Sequence, residues 1–218
     1  MAKKEMIESV LSHNRDRRNL KEITKALEKI DRKFFVDANN PYIDAPISIG
    51  HGQTISQPTT VARMLSLLEL QKGQLVLEIG SGSGWNAALI SYIVKPGKVV
   101  SVERIRELNE LAQKNYNSVK SKLNLDNAEF VFADALDKNK QIWKIKYDRI
   151  IATAAASLDF VEDLIEMGKS LLKEDGMIIF PTEEGNLEVW QKKENKLKKI
   201  YREYGYAFVP LVKGTQQF

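Results

Sequence analysis

The sequence predicts an α/β fold: a doubly wound, mostly parallel sheet preceded by N-terminal helices and followed by antiparallel C-terminal strands. Three observations predict it. Short apolar runs alternate with helical patterns from Gln74 to Pro181, the order that builds strand–helix–strand crossovers. Leu75, Val76, Leu77 and Ile79 form an apolar run bounded by turn residues, as suits a parallel strand covered on both faces. That run passes into Gly80, Gly82 and Gly84 and then into a helix start at Trp85. Glycines there allow a sharp turn with positive φ and let a ligand approach the main chain.

A chain of 218 residues, 43% hydrophobic and 28% charged, is long enough for a substantial core and has an ordinary globular composition. One domain over 1–218 is expected, with helices and a loop in 1–72, the glycine-turn core in 73–181 and C-terminal strands in 182–218. No run reaches membrane-spanning length, and the charged start does not read as a secretory signal. The expectation is a cytoplasmic monomer without membrane contact. Zero cysteines exclude disulfides and thiolate sites, and two histidines, His13 and His51, argue against a metal centre. The net charge of +4 invites a nucleic-acid reading, but the basic runs Arg15 to Arg18 and Lys192 to Lys199 lack interleaved aromatic pairs. They read as solvated faces, and no nucleic-acid partner is expected.

In chain order, Met6, Ile7, Val10 and Leu11, then Leu20, Ile23, Ala26, Leu27 and Ile30, are spaced for two amphipathic helices, with His13 covering a helix end. Tyr42 to Pro58 is neither helical nor alternating and reads as an ordered loop. Thr59 to Leu70 is a helix capped by Ser56 or Thr59, with Pro58 near its first turn. Trp85 to Val94 is a helix stopped at Pro96-Gly97. Lys98 to Glu103 is a strand, Arg104 to Leu123 a helix, Ala128 to Phe132 a strand and Tyr147 to Thr153 a strand with a small-residue tail, Ala154 to Ala156. Phe160 to Leu172 is a helix, Lys173 to Gly176 a turn, and Met177 to Phe180 a strand stopped by Pro181. Leu187 to Gln191, Ile200 to Tyr204 and Tyr206 to Leu211 read as antiparallel strands.

Glycine spacing narrows the ligand. A dinucleotide fingerprint needs a third glycine where this chain has Trp85. The pattern here, E-x-G-x-G-x-G from Glu78 to Gly84, instead resembles motif I of the Rossmann-like class I methyltransferases, which bind S-adenosyl-L-methionine. In such a site Glu78 attracts the ammonium of the ligand's amino-acid end, directly or through water. Glu103 lies nineteen residues after Gly84, close to the ~20-residue spacing at which a strand-end acid receives ribose hydroxyls. Its competing role is to cap the following helix. Asp134-Ala135 follows the third strand where an adenine ring lies in this fold class, and Asp134 is placed to accept from the adenine amino group.

With GHGQTISQP at Gly50 to Pro58, NPYIDAPISIG before it, SVERI at the second strand, YDRIIATAAA at the fourth and FVPLV near the end, the chain is similar to the protein-L-isoaspartate (D-aspartate) O-methyltransferase family. The resemblance implies that Gln53, Thr54 and Ile55, together with Glu78, Gly80, Gly82, Gly84, Glu103, Asp134 and Ala135, carry the cofactor. It implies Ser56 as the catalytic position, and Ser56, Thr153, Ala154 and Ala155 as substrate contacts. The departures are His51 for an aromatic, Ala135 for a glycine, no prolines in Ser157 to Phe160, and Thr182-Glu183-Glu184 for a neutral turn.

The activity implied is transfer of a methyl group to the free α-carboxylate of an isoaspartyl or D-aspartyl residue, which starts repair of damaged proteins and peptides. Such a carboxylate, with a pKa near ~3.5, is ionised at neutral pH and needs no general base. The alternatives are a carboxyl methyltransferase with another substrate and a cofactor-binding protein without turnover. An RNA methyltransferase is disfavoured, since no Asn-Pro-Pro-Tyr or Asp-Pro-Pro-Tyr stretch follows the fourth strand.

Overall fold

The computed structural model describes residues 1–14 and 19–218; the basic run at 15–18 lies outside them. Helices α1 (Lys3–His13) and α2 (Leu20–Lys29) form as their apolar spacing requires, burying Met6, Ile7 and Val10 from the first and Ile23, Ala26 and Leu27 from the second. The stretch expected as an irregular loop contains a two-stranded antiparallel hairpin, β1 (Ile47–Gly50) and β2 (Gln53–Ile55). Its turn uses positive φ at Gly50, His51 and Gly52.

Helix α3 (Pro58–Leu67) follows, and its start corrects the expected cap. The N-cap is Gln57 and makes no side-chain bond. The free amide of Thr59 instead donates to Asp44 Oδ1 at 2.9 Å, so a distant carboxylate does what neither Ser56 nor Thr59 does.

The core then alternates β3 (Leu75–Ile79), α4 (Trp85–Val94), β4 (Lys98–Glu103), α5 (Arg106–Leu123), β5 (Ala128–Phe132), β6 (Tyr147–Ala152), α6 (Leu158–Leu171) and β7 (Leu172–Pro181). An antiparallel pair, β8 (Asn186–Lys193) and β9 (Lys196–Tyr204), completes a seven-stranded sheet of order β5-β4-β3-β6-β7-β8-β9. The first five strands in that order run parallel.

Alternation builds two apolar layers, because successive residues of a strand face opposite sides. Val76, Val99, Ile151 and Ile179 pack with α1 to α5, whereas Leu77, Val100, Ile150 and Ile178 pack with α6. The strand order reverses about β3, and ligands in open α/β sheets bind outside the carboxyl ends of strands at such a switch point. Glycines 80, 82 and 84 stand there.

Three further expectations change. Lys173 to Gly176 is an irregularity within β7: the pairing jumps from Tyr147 with Leu172 to Arg149 with Met177, and Asp175 has φ +60°. Residues 206–211 form no strand beside β9 but cross to the β6 end, where Ala155 pairs with Pro210 in an isolated bridge. Lys192, expected on a solvated face, is buried, and its ammonium donates to the carbonyls of Lys169 and Leu172 near the end of α6. Among the described residues no helix is long and apolar enough to cross a membrane.

Candidate active site

The glycine turn is fixed from both sides. The Gly80 amide donates to the Val102 carbonyl at 2.8 Å, and the Thr153 amide and hydroxyl donate to the Ile79 and Gly80 carbonyls at 2.9 and 2.8 Å. Gly80 has φ +95°, and a Cβ there would lie 2.5 Å from Thr153 Oγ1. Gly84 has φ +83°, with Ala112 backbone 2.9 Å from any added Cβ. These two glycines serve conformation and packing. Gly82 faces open space apart from Ile49 at 3.4 Å.

A cavity at this turn is lined by Gly80 to Ser83 and Asn86, by Glu103 to Ile105, by Ala133 to Leu136, by Gln53 to Ser56, by Thr153 and Ala154, and by Phe208 to Val212. It gathers Gln53, Thr54, Ile55, Ser56, Gly80, Gly82, Glu103, Asp134, Ala135, Thr153 and Ala154 from five separate stretches of sequence. It does not include Glu78, Gly84 or Ala155. Gly84 lies behind the turn against α5. The main chain of Ala155 is already engaged, its amide donating to Val209 O at 2.8 Å and its carbonyl accepting from the Leu211 amide at 2.7 Å.

Glu78 is fully buried beneath the turn rather than in the cavity. Alternation explains this: Leu77 and Ile79 face the α6 layer, so Glu78 faces α4. Asn86 Nδ2 donates to its Oε1 at 2.7 Å, and the Ser101 hydroxyl donates to Oε2. Burial pushes the Glu78 carboxyl up to about 7, although both hydrogen bonds oppose the shift and Glu103 adds to it. Asn86 lines the cavity, and its Oδ1 is buried without a hydrogen-bond partner. Asn86 thus borders the cavity, and Glu78 beneath it holds the Asn86 amide.

Glu103 is in the cavity wall and carries several contacts. Its Oε2 accepts from the Gly82 amide at 3.0 Å, and its Oε1 accepts from the Arg104 and Ile105 amides at 2.9 and 3.0 Å. The helix itself starts at Arg106 with Ile105 as N-cap. Asp134 Oδ1 accepts from the Leu136 amide, and Oδ2 accepts from the Gly214 amide at 2.7 Å.

The segment carrying Ser56 is held by a buried arginine. Arg32, with no exposed surface, donates through Nη1 to the Pro41 and Ile43 carbonyls and through Nη2 to those of Ala45, Ile55 and Ser56. Its guanidinium lies 5.3 Å from the Trp85 ring centroid, and desolvation lowers its pKa to about 10. Arg32 therefore ties the hairpin segment to the first turn of α4.

A second cavity opens beside the first and shares Thr54, Ser56, Thr153, Phe208 and Val209 with it. The two meet at Ser56.

The last residues pack beside the site, on the end of β4 and the β1–β2 turn. The Gln216 amide donates to Arg104 O, and Gln216 O accepts from the Arg106 amide. The Phe218 ring sits 4.7 Å from the His51 ring. Sequence reasoning did not single out Arg32, Asp44, Asn86 or residues 208–212 as site components. Of these, Asp44 and residues 208–212 fall in stretches that carry the resemblance, NPYIDAPISIG and FVPLV.

Comparison with known proteins agrees with this geometry. The model of the protein-L-isoaspartate(D-aspartate) O-methyltransferase family matches residues 1–216. A protein-L-isoaspartate O-methyltransferase of Pyrococcus abyssi is 40% identical over 200 residues, 88% of this chain and 86% of the relative. The Methanothrix thermoacetophila enzyme is 34% identical over 217 residues, covering 97% and 95%. A Plasmodium falciparum structure described as the same enzyme, in complex with S-adenosyl-L-homocysteine, superposes with TM-score 0.81 at 28% identity, covering 96% of this chain and 98% of that one. The chain belongs to the protein-L-isoaspartate (D-aspartate) O-methyltransferase family.

Proposed function

We propose that the protein transfers a methyl group from S-adenosyl-L-methionine to the free α-carboxylate of L-isoaspartyl and D-aspartyl residues in damaged proteins and peptides, with the junction of the two cavities at Ser56 as the reaction centre. The observation that carries this reading is the meeting of a glycine-turn cavity and a second, open cavity at Thr54, Ser56 and Thr153.

The residues present fit the cofactor. Asn86 borders the cavity beside the glycine turn and keeps Oδ1 buried without a hydrogen-bond partner, and a small side-chain rotation would present that acceptor to an ammonium. Glu103 has two oxygens in the wall for a ribose, and Asp134-Ala135 borders the region an adenine would take. When bound, S-adenosyl-L-methionine supplies a methyl group activated by its sulfonium.

The chain's own task is orientation and exclusion of water. The acceptor carboxylate is ionised well below neutral pH, so no residue has to remove a proton. The Ser56 hydroxyl does not cap α3, and we assign it to one oxygen of that carboxylate, with Thr153 and Ala154 beside it. Arg32 sets the position of Ser56 through the Ser56 carbonyl. Holding a nucleophile in line accounts for about 7 to 11 kcal/mol in well-oriented systems. The test is transfer of labelled methyl to an isoaspartyl peptide and to its normal aspartyl twin. Label in the first alone is expected; equal label in both, or none in either, overturns the reading.

A further inference from the structure

Arg32 is a buried cation surrounded by neutral groups. All five hydrogen bonds of its guanidinium go to main-chain carbonyls, and its Nε has no partner. Asp44 is the acid that acts on it, but the Asp44 oxygens are taken by the amide and hydroxyl of Thr59 and by the Ser9 hydroxyl. Buried charges are ordinarily paired, and an uncompensated one is costly to hold. A group kept under those terms points to a task beyond filling space.

Its place indicates the task. On one side stands Trp85, the first residue of α4, which directly follows Gly84 of the glycine turn, is 1% exposed and borders the first cavity. The guanidinium carbon lies 5.3 Å from the Trp85 ring centroid, and Trp85 Nε1 donates to the Ile30 carbonyl at 3.3 Å, two residues before Arg32. On the other side Nη2 holds the Ile55 and Ser56 carbonyls at 3.4 and 3.0 Å. One side chain therefore stands between the helix that leaves the glycine turn and the residue at which the two cavities meet. A guanidinium suits this, being a rigid plane that packs on an aromatic ring while donating along its edge.

Resting on the function proposed above, we infer that Arg32 is the spacer of the transfer: it fixes the separation between the glycine turn, where the methyl donor binds, and Ser56, where the acceptor carboxylate is held. Arg32 touches neither reactant, so it is a positioning residue that acts through Ser56. Misplacing a reacting group by about 1 Å can cost ~100-fold in rate, although neither binding site loses a contact. The signature of a spacer is thus a loss of rate at saturation with both affinities kept.

The experiment is single-turnover transfer of labelled methyl to an isoaspartyl peptide by wild type, Arg32→Lys, Ser56→Ala and the double variant, with cofactor affinity measured by calorimetry. Lysine keeps the charge, but it has three donors for five carbonyls and no plane to set against Trp85. Arg32→Lys is expected to lower the rate at saturating peptide roughly tenfold or more, with peptide KM and cofactor affinity within about twofold of wild type. In the Ser56→Ala background the same substitution should cost little further, because its effect passes through Ser56. Equal fold-losses in both backgrounds, the mark of a merely structural defect, overturn the inference. A wild-type rate in folded Arg32→Lys overturns it too, as does a loss confined to KM or cofactor affinity. If Arg32→Lys does not fold, Trp85→Phe, which shrinks the other side of the same contact, carries the cycle with the same readings. Absence of any transfer by wild type overturns the underlying function, whereas transfer with an additive cycle overturns this inference alone.

Discussion

The Gly82 amide donates to Glu103 Oε2 at 3.0 Å, so the turn after β3 is tied to the end of β4 by a carboxylate in the cavity wall. Glu103 thus shapes the turn, and the function proposed above gives the same group a ribose to receive. Glu103→Gln keeps the size, removes the charge and sets an amide against the Gly82 donor. Cofactor binding is expected to weaken by about 1 to 3 kcal/mol, as calorimetry measures. A change in melting temperature with unaltered affinity would leave Glu103 a purely structural residue.

The glycines separate by what surrounds them. Gly84→Ala places a Cβ 2.9 Å from the Ala112 carbonyl oxygen, in backbone that cannot yield cheaply, whereas Gly82→Ala meets only the end of Ile49. Both carry positive φ, which costs a non-glycine residue roughly 1 kcal/mol. Thermal denaturation should show a clearly larger loss for Gly84→Ala. Gly82→Val should instead remain folded and lose cofactor binding; a folded valine variant with wild-type affinity would move the ligand away from the turn.

Glu78 makes stability depend on pH. Its folded-state value of about 7 lies above the ordinary 4.5, so the folded protein holds a proton that the unfolded chain releases. The stabilisation is fully present below pH ~4.5 and is lost as pH rises through about 7. Against Glu78→Gln, which cannot ionise, wild type should lose up to roughly 3 kcal/mol across that window. Denaturant titrations at several pH values check it, and parallel curves for the two proteins would contradict it.

Ser56→Ala is expected to lower kcat substantially while cofactor affinity and melting temperature stay close to wild type, because the hydroxyl caps no helix. Ser56→Asn should remain folded without restoring methyl transfer. Wild-type turnover in both variants would shift the role to Thr54 or Thr153.

Much of this architecture was legible because burial on two faces leaves a repeating signal. The ends of β4 and β5 fall where the apolar runs end. What escaped has no local signature. The hairpin β1–β2 is short and rich in glycine, with its pairing supplied by a tight turn. Arg32 looks like any charged residue in DRKFF, since its five acceptors are carbonyls spread over residues 41–56. Tyr206 to Leu211 read as a strand, but the segment's partner is the loop at Ala155 rather than a neighbouring strand. Glu78 is buried beneath the turn because Leu77 and Ile79 on either side of it face the α6 layer.

β9 forms one margin of the sheet, pairing with β8 on one side. An unpaired margin of this kind is a template on which a second molecule can extend the sheet. Lys196 and Lys198 stand exposed along it, while Lys199 and Arg202 pair with Glu188 and Glu184, and exposed lysines on an edge strand oppose such pairing. Neutralising Lys196 and Lys198 is expected to favour concentration-dependent association through this margin, which light scattering beside wild type would show.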